Sequence, residues 1–135
     1  MISVFSFIHN YKKYGLLFFK IYFCGIFFHK KKIIYSKKIE KNKKISIYGF
    51  GPYGEKAFIY FFPRNDIVNI YDKKFYLKPL SVSPIYDICN DIEFFDYIIV
   101  TVMNYEMRKA VENFLKNRGV PERKIVYVNY SFSAQ

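Results

Sequence analysis

The sequence has few cysteines and few histidines, and these shortages exclude two classes of protein. Cys24 and Cys89 are the two cysteines among the 135 residues, and His9 and His29 are the two histidines. Because the cysteines are far apart and no histidine lies at the spacing of a zinc module, we expect neither a disulfide scaffold nor a metal site. Unpaired cysteines are typical of a reducing compartment, so the expected location is cytoplasmic.

A chain of this length has room for one domain and a short appendage, so a second full catalytic domain is excluded. Hydrophobic residues make up 52% of the sequence and aromatic residues 22%. That density of apolar side chains can bury enough surface to offset the conformational entropy of folding. We therefore expect a folded domain rather than a disordered chain.

Acidic residues are nearly absent from the first third of the chain. Residues 1–44 carry eleven lysines and a single acid, Glu40, a net charge of +10, and residues 45–135 carry the remaining +1. Such a step in charge marks a boundary near Lys44. We predict a basic aromatic arm over residues 1–44 and a separate domain over residues 45–135.

The domain over residues 45–135 alternates between strand and helix patterns, which predicts an α/β fold. Apolar, β-rich runs cover residues 45–50, 67–71, 95–102 and 124–128, and helical patterns cover residues 52–62 and the segment after Asn104. The run at 95–102 is almost continuously apolar, as expected for a parallel strand covered on both faces. Because strand–helix alternation implies right-handed crossovers, we predict a small doubly wound parallel sheet.

Two weaker elements and one clear helix complete the predicted domain. An edge strand is predicted from Leu80 to Val82, and a helical turn from Pro84 to Ile88. Asn104 is a suitable N-cap for the clear helix. Its apolar residues share one face, which we expect to pack on the sheet: Met107, Ala110, Val111, Phe114 and Leu115.

A glycine motif directly follows the first predicted strand of this domain. Gly49, Gly51 and Gly54 form the pattern G-x-G-x-x-G, and Asp72 ends the next strand about twenty residues later. Gly49 permits the tight turn, Gly51 lets the backbone approach a pyrophosphate, and Gly54 lets the helix pack close to the sheet. Asp72 is placed to accept hydrogen bonds from a ribose hydroxyl. The alternative is a tight strand-to-helix turn whose glycines serve packing alone.

The segments KISIYGFGPYGEKA, IYDKK, FFDYIIVTVMNYEMRKAV and GVPERKIVYVN together resemble a family of small Rossmann-type, NAD(P)-binding-like domains of bacterial surface-polysaccharide biosynthesis. The resemblance implies phosphate contacts at Gly49, Gly51 and Gly54 and a ribose contact at Asp72. It implies NAD or NADP as the cofactor, if the domain holds one, and a glycosyltransferase or sugar-modifying enzyme as partner. The expected function is then a nucleotide or nucleotide-sugar binding accessory domain in cell-surface polysaccharide biosynthesis.

Ligands of open α/β sheets lie at the carboxyl ends of the strands, where strand order reverses. Thr101 lies near the carboxyl end of the predicted central strand, and Asn104 and Tyr105 come just after it, so we expect these three polar side chains to face a ligand bound there. The alternative makes Thr101 a strand residue and Asn104 only a helix cap.

Tyr105 and Lys109 form a Y-x-x-x-K pair like that of short-chain dehydrogenases, but they follow the wrong strand and no catalytic serine strand precedes them. We assign no catalytic residue. A fragment of a small NAD(P)-dependent sugar-modifying enzyme stays as an alternative.

The arm suggests a separate interaction. Residues 15–28 are apolar apart from Lys20, too short for a membrane span and without the features of a signal peptide. Aromatic residues flanked by lysines favour association with an anionic membrane surface, at the inner face. The alternative is a hairpin turning at Cys24 and Gly25 that packs on the Rossmann-like domain or on a partner domain. A non-enzymatic scaffold, whose arm binds a transferase or a lipid and whose glycine turn is vestigial, is the competing function. Nucleic acid is not the expected partner, because every cation of the arm is lysine and none is arginine.

Overall fold

A computed structural model describes residues 12, 14–16, 18, 19, 33–72, 82–84 and 92–130. Within these residues, six strands form one sheet in the spatial order β1-β6-β5-β2-β3-β4. The strands are β1 (Ile33–Tyr35), β2 (Lys44–Tyr48), β3 (Asp66–Asp72), β4 (Val82–Pro84), β5 (Tyr97–Val100) and β6 (Ile125–Tyr130). Two α-helices, α1 (Pro52–Phe61) and α2 (Tyr105–Asn117), and two short 3₁₀ turns, Ile92–Phe94 and Glu122–Lys124, connect them.

The predicted α/β class is confirmed, but the sheet is mixed rather than wholly parallel. Strands β2 to β6 pair in parallel, with β2 between β3 and β5. The exception is β1, which pairs antiparallel with β6. This strand lies within the predicted arm, so the part of the sheet that departs from the prediction comes from outside the predicted domain. The charge boundary at Lys44 is therefore not a boundary of the sheet.

The sheet is covered by a helix on each face. Strand residues alternate between the faces, because successive side chains of a strand point in opposite directions. Ile47, Ile99 and Val126 lie in one buried cluster with Phe58 and Phe61 of α1. Ile98, Val100 and Ile125 lie in a second buried cluster with Leu115 of α2. This two-sided burial accounts for the nearly continuous apolar run at β5.

The predicted core face of α2 is partly wrong. Leu115 is buried and Val111 and Phe114 are half-buried against the second cluster, but Met107 is 60% exposed and Ala110 is exposed. The three packed side chains all belong to the C-terminal half of the helix. The N-terminal half carries apolar residues at the same helical spacing without a covering surface among the described residues.

The edge strand predicted at Leu80 to Val82 overlaps a strand of the structure at Val82. Strand β4 covers Val82–Pro84 and pairs in parallel with β3. Pro84 is therefore a strand residue, and the prediction of a helical turn beginning there is wrong at that position. The rest of that turn, residues 85–88, lies outside the described residues, as do residues 80 and 81.

The described parts of the arm pack onto the domain. Residues 12, 14–16, 18 and 19 have helical backbone, and Tyr14 is buried in the cluster beneath α1. The ring of Phe18 stacks on that of Phe62, with centroids 4.2 Å apart. Burial, and secondarily the nearby Asp66 carboxylate, raises the pKa of Tyr14. The predicted hairpin at Cys24 and Gly25 lies outside the described residues.

The segment after β1 is tied to the opposite end of the chain. Ser36 exchanges two hydrogen bonds with Tyr127: its N–H donates to the Tyr127 carbonyl at 2.8 Å, and its hydroxyl accepts from the Tyr127 N–H at 2.9 Å. The ammonium of Lys37 donates to the carbonyls of Glu122 and Arg123, each at 2.9 Å. These bonds join the arm to β6 and to the turn before it.

Candidate functional site

The predicted glycine motif lies at the edge of the sheet where its parallel strands end. The turn follows β2, and Asp72 is the last residue of the neighbouring β3. Thr101 follows the last residue of β5, on the other side of β2. Because parallel strands end at the same edge, three segments distant in sequence meet at this turn. We refer to this edge as the carboxyl edge.

Gly49 begins the turn in a conformation that favours glycine. Its φ angle is +95°, in the left-handed region where a Cβ atom clashes with the backbone. A Cβ atom built there would also lie 2.6 Å from the hydroxyl oxygen of Thr101. The Gly49 N–H donates to the Tyr71 carbonyl of β3 at 2.7 Å. Both the backbone and its surroundings therefore require glycine at this position.

Gly54 lies in the first turn of α1, directly against the start of the glycine turn. A Cβ atom at Gly54 would lie 2.1 Å from the carbonyl oxygen of Gly49, which is a backbone atom and cannot move aside alone. Glycine here is what lets α1 pack close to the end of β2. The packing role predicted for Gly54 is confirmed.

Gly51 differs from the other two glycines, because no contact in the described part of the chain requires it to be glycine. It is exposed and extended, with φ −84° and ψ −160°, a conformation open to any residue. Among the described residues, no atom lies within 4 Å of a Cβ atom built there. Gly51 is also the N-cap of α1 and supplies no side-chain hydrogen bond to it. The space beside this backbone is open at the start of a helix.

Asp72 holds the turn from the β3 side. Its Oδ2 atom accepts a hydrogen bond from the backbone N–H of Phe50 at 2.7 Å. This places a half-buried carboxylate next to the turn, as the motif predicts, and gives it a tethering role that the spacing did not reveal. This tethering role could have been inferred from the predicted pairing of two parallel strands, because the glycines end one strand and the acid ends the other. The ribose contact of Asp72 stays a prediction.

Thr101 holds the turn from the β5 side. Its hydroxyl donates a hydrogen bond that is shared between two carbonyls, that of Tyr48 at 2.9 Å and that of Gly49 at 3.1 Å. Its backbone N–H also donates to the Tyr48 carbonyl, at 3.1 Å. The side chain is buried against the turn, so Thr101 stabilises the conformation of the loop. The ligand contact of Thr101 stays a prediction.

Asn104 and Tyr105 lie further along the same edge. The Asn104 side chain accepts from the Met107 N–H at 3.1 Å, and its predicted role as the N-cap of α2 is confirmed. Tyr105 is 70% exposed, and the Lys109 ammonium lies 6.0 Å from the centre of its ring. The contact between these two side chains is that of a cation over the face of an aromatic ring. We assign the pair no catalytic role.

Arg108 is a residue of this edge that the sequence did not indicate. Its Nη2 donates to the Val128 carbonyl of β6 at 2.6 Å, and its Nε donates to the Val102 carbonyl after β5 at 3.3 Å. The guanidinium therefore joins the carboxyl ends of two adjacent strands. Its position depends on how α2 crosses the sheet, and no short motif carries that information.

Comparison with known proteins identifies no relative. No family model, curated protein or solved structure matches the chain. In the part of the chain that the structure describes, no helix is both long enough and apolar enough to cross a membrane. In the same residues, no three side chains of His, Cys, Asp or Glu are grouped to hold a metal ion. The geometry of the glycine turn is therefore the basis for a functional proposal.

Proposed function

We propose that this chain contains a Rossmann-like domain that binds a nucleotide or a nucleotide sugar at the glycine turn. The order β4-β3-β2-β5-β6 of the parallel strands supports the fold. The first strand of the domain, β2, lies at the centre, and the chain builds outward on one side through β3 and β4 and on the other through β5 and β6. Strand order thus reverses between β2 and β5, which is where open α/β sheets bind ligands.

The observation that carries the binding proposal is the open space at Gly51. Packing explains Gly49 and Gly54, but neither packing nor backbone conformation explains Gly51. A glycine that faces open space at a helix N-terminus is what a phosphate needs, because the backbone N–H groups can approach it without an intervening side chain. The positive end of the α1 dipole adds an attraction for the same group.

The surroundings of the turn favour a ribose next to the phosphate. Asp72 lies beside the turn through its bond to Phe50, at the end of the second parallel strand, where the dinucleotide-binding motif has the acid that contacts the ribose. The sequence leaves NAD and NADP both open, because Asp72 favours a free hydroxyl and the lysines that follow it in sequence could meet a phosphate. A place in surface-polysaccharide biosynthesis, and a glycosyltransferase partner, rest on the sequence resemblance alone.

A calorimetric or thermal-shift panel tests the proposal. The ligands are NAD, NADP, S-adenosylmethionine and nucleotide sugars, each at millimolar concentration. A ligand at one hundred times its Kd stabilises the folded state by about 2.7 kcal/mol, an easily measured rise in Tm. We expect Gly51→Asp to abolish that rise without lowering the ligand-free Tm, since its side chain enters open space, can cap α1 and carries the wrong charge for a phosphate.

Asn113→Asp is the matched control, because it adds the same charge at an exposed position of α2, outside the proposed site. It should keep the full response to ligand. The proposal is wrong if no ligand of the panel raises the Tm, or if Gly51→Asp responds as the unmodified chain does.

A scaffold with a vestigial glycine turn is the second candidate function. The observation that favours it is that the side chains of Thr101 and Asp72 both form hydrogen bonds with the backbone at the turn. In that case the glycines would allow the tight turn between β2 and α1 to form, and they would bind no ligand. The two candidates differ in the panel above, because the scaffold predicts no stabilisation by any nucleotide.

A further inference from the structure

The helical part of the arm contacts two elements of the domain through a single side chain. The ring of Tyr14 meets that of Phe58 in α1 edge to face, with centroids 5.8 Å apart and an interplanar angle of 79°. The Tyr14 hydroxyl donates to the carbonyl of Val68 in β3 at 3.3 Å. Tyr14 is 1% exposed, so its ring is enclosed by the protein. Tyr14 therefore joins α1 to β3 from outside the predicted domain.

The same two elements hold Phe50 in the glycine turn. Phe50 directly precedes Gly51, and its ring is buried in the cluster that also contains Tyr14. The rings of Phe50 and Phe58 meet edge to face, with centroids 6.0 Å apart. The Phe50 N–H donates to Asp72, the last residue of β3, at 2.7 Å. A contact from α1 thus fixes the side chain of Phe50, and a bond from β3 fixes its backbone.

Phe58 is in contact with both the arm and the turn. It is fully buried, and its ring meets the rings of Tyr14 and Phe50. Edge-to-face pairs of this kind have a preferred geometry. In a close-packed interior, a side chain that loses a neighbour relaxes partly into the space left behind. Removal of the Tyr14 ring would therefore let Phe58 shift and would loosen Phe50 in the turn.

We propose that Tyr14 is a positioning residue of the glycine turn, through which the arm regulates nucleotide binding. This role rests on the proposed function, because the turn that Tyr14 acts on is the proposed nucleotide site. Tyr14 acts through two contacts, the ring of Phe58 and the backbone of β3, and both lead to Phe50. With the arm packed on α1, the turn keeps the conformation that leaves Gly51 open to a phosphate. Displacement of the arm would lower the affinity of the turn for a nucleotide.

The expected coupling between the arm and the turn is moderate. Coupled sites typically change each other's affinity by a factor of about 5 to 150. Tyr14 acts on the turn through other residues, and its hydroxyl bond is long for an O–H donor. We therefore expect a factor at the lower end of that range. Such coupling is reciprocal, so a bound nucleotide should also favour the packed arm.

Calorimetry on the full chain measures the effect on binding, with NAD, NADP, S-adenosylmethionine and UDP-glucose as probes. For a probe that binds the unmodified chain, Tyr14→Leu should weaken binding about fivefold to tenfold, because the ring and the hydroxyl are both lost. Tyr14→Phe keeps the ring next to Phe58 and should restore most of that loss. Leu115→Ala is the matched control, because it removes a fully buried side chain from the cluster on the other face of the sheet. It should lower the Tm without changing the affinity.

A double-mutant cycle tests the link between Tyr14 and the turn without any nucleotide. Urea denaturation gives the folding equilibrium constants of Tyr14→Leu, Phe50→Leu and the double variant. We expect the double variant to depart from the product of the two single effects by about threefold or more, as for side chains that share a neighbour. The same cycle with Leu115→Ala in place of Tyr14→Leu should give a simple product, since Leu115 lies on the other face. If Tyr14→Leu does not fold, Phe18→Leu replaces it, because the Phe18 ring also lies beside Phe58, with centroids 6.4 Å apart.

Three outcomes would overturn the proposal. The first is a simple product in the cycle of Tyr14 and Phe50, which would show that the arm does not act on the turn. The second is a Tyr14→Leu variant that binds its probe as tightly as the unmodified chain does. The third is an equal loss of affinity in Tyr14→Leu and Leu115→Ala, which would assign the effect to general stability. If no probe binds the unmodified chain, the proposed function and the regulation both fail, and the cycle still decides whether Tyr14 positions the turn.

Discussion

The three glycines of one motif are glycine for three different physical reasons. Gly49 has a positive φ, and Gly54 has no room for a Cβ atom against the Gly49 carbonyl. Gly51 has an ordinary backbone conformation and open space beside it. A motif match treats the three alike, although only Gly51 lacks an explanation within the fold. The ligand hypothesis therefore depends mainly on this one position.

Substitution of the glycines by alanine should separate these roles. We expect Gly54→Ala to destabilise the protein by about 3 kcal/mol, because α1 must move away from the end of β2 to accept the new Cβ atom. Gly51→Ala should change the free energy of unfolding by no more than about 0.5 kcal/mol, as for an ordinary surface position. Urea denaturation followed by circular dichroism measures both. Equal midpoints for the two variants would contradict the packing assigned to Gly54.

The ends of the helices follow local signals, and their buried faces do not. Pro52 begins α1, as its missing N–H and fixed φ predict, and Asn104 caps α2. The apolar face of α2 extends over Met107, but the sheet covers only the C-terminal half of that helix. A cap depends on residues three positions apart. Burial depends on where another part of the chain lies.

The cap of α2 provides a test at this scale. Asn104→Ala removes the acceptor of the Met107 N–H and should lower the free energy of unfolding by about 1 kcal/mol. Asn104→Ser keeps a side-chain acceptor and should restore most of the loss. Urea midpoints of the three proteins give the comparison. An alanine variant as stable as the unmodified chain would show that the bond contributes nothing to folding.

At the scale of the whole molecule, the described residues of the basic arm are part of the folded structure. Its strand β1 adds an antiparallel edge to β6, and Tyr14 and Phe18 cover the aromatic side chains of α1. The step in charge at Lys44 therefore separates two compositions but not two independent packing units.

Removing the arm should destabilise the rest of the chain. A chain that begins at Lys44 lacks β1, Tyr14 and Phe18, so Phe58 and Phe62 lose part of their cover. We expect the free energy of unfolding to fall by about 3 kcal/mol or more, the usual result of removing a large aromatic side chain from a core. Urea denaturation measures the change, and Leu16→Gln serves as a control within the arm because that side chain is exposed. If the shortened chain is as stable as the full one, the arm packing described above is wrong.

Much of the α/β pattern could be predicted from the sequence, and so could the place of the turn. Period-two and continuous apolar runs indicate β2, β3, β5 and β6, and glycine, proline and asparagine signals mark the connections. The hydrogen bonds at the turn could not be predicted in the same way. The bonds of the Thr101 hydroxyl to the carbonyls of Tyr48 and Gly49, for example, have no signal in the sequence near Thr101. The packing of residues far apart in the chain determines such a choice.

By itself, the sequence determined the alternation of strands and helices, the helix ends, the glycine turn and the concentration of lysine in the first 44 residues. Each of these depends on residues close together in the chain, where backbone preferences and side-chain periodicity act directly. Only the tertiary structure decided that β1 joins β6 and makes the sheet mixed, because Ser36 and Tyr127 meet across 91 positions of sequence. It likewise decided that Asp72 and Thr101 hold the turn and that Gly51 is left open, since those contacts exist only once β2, β3 and β5 lie side by side.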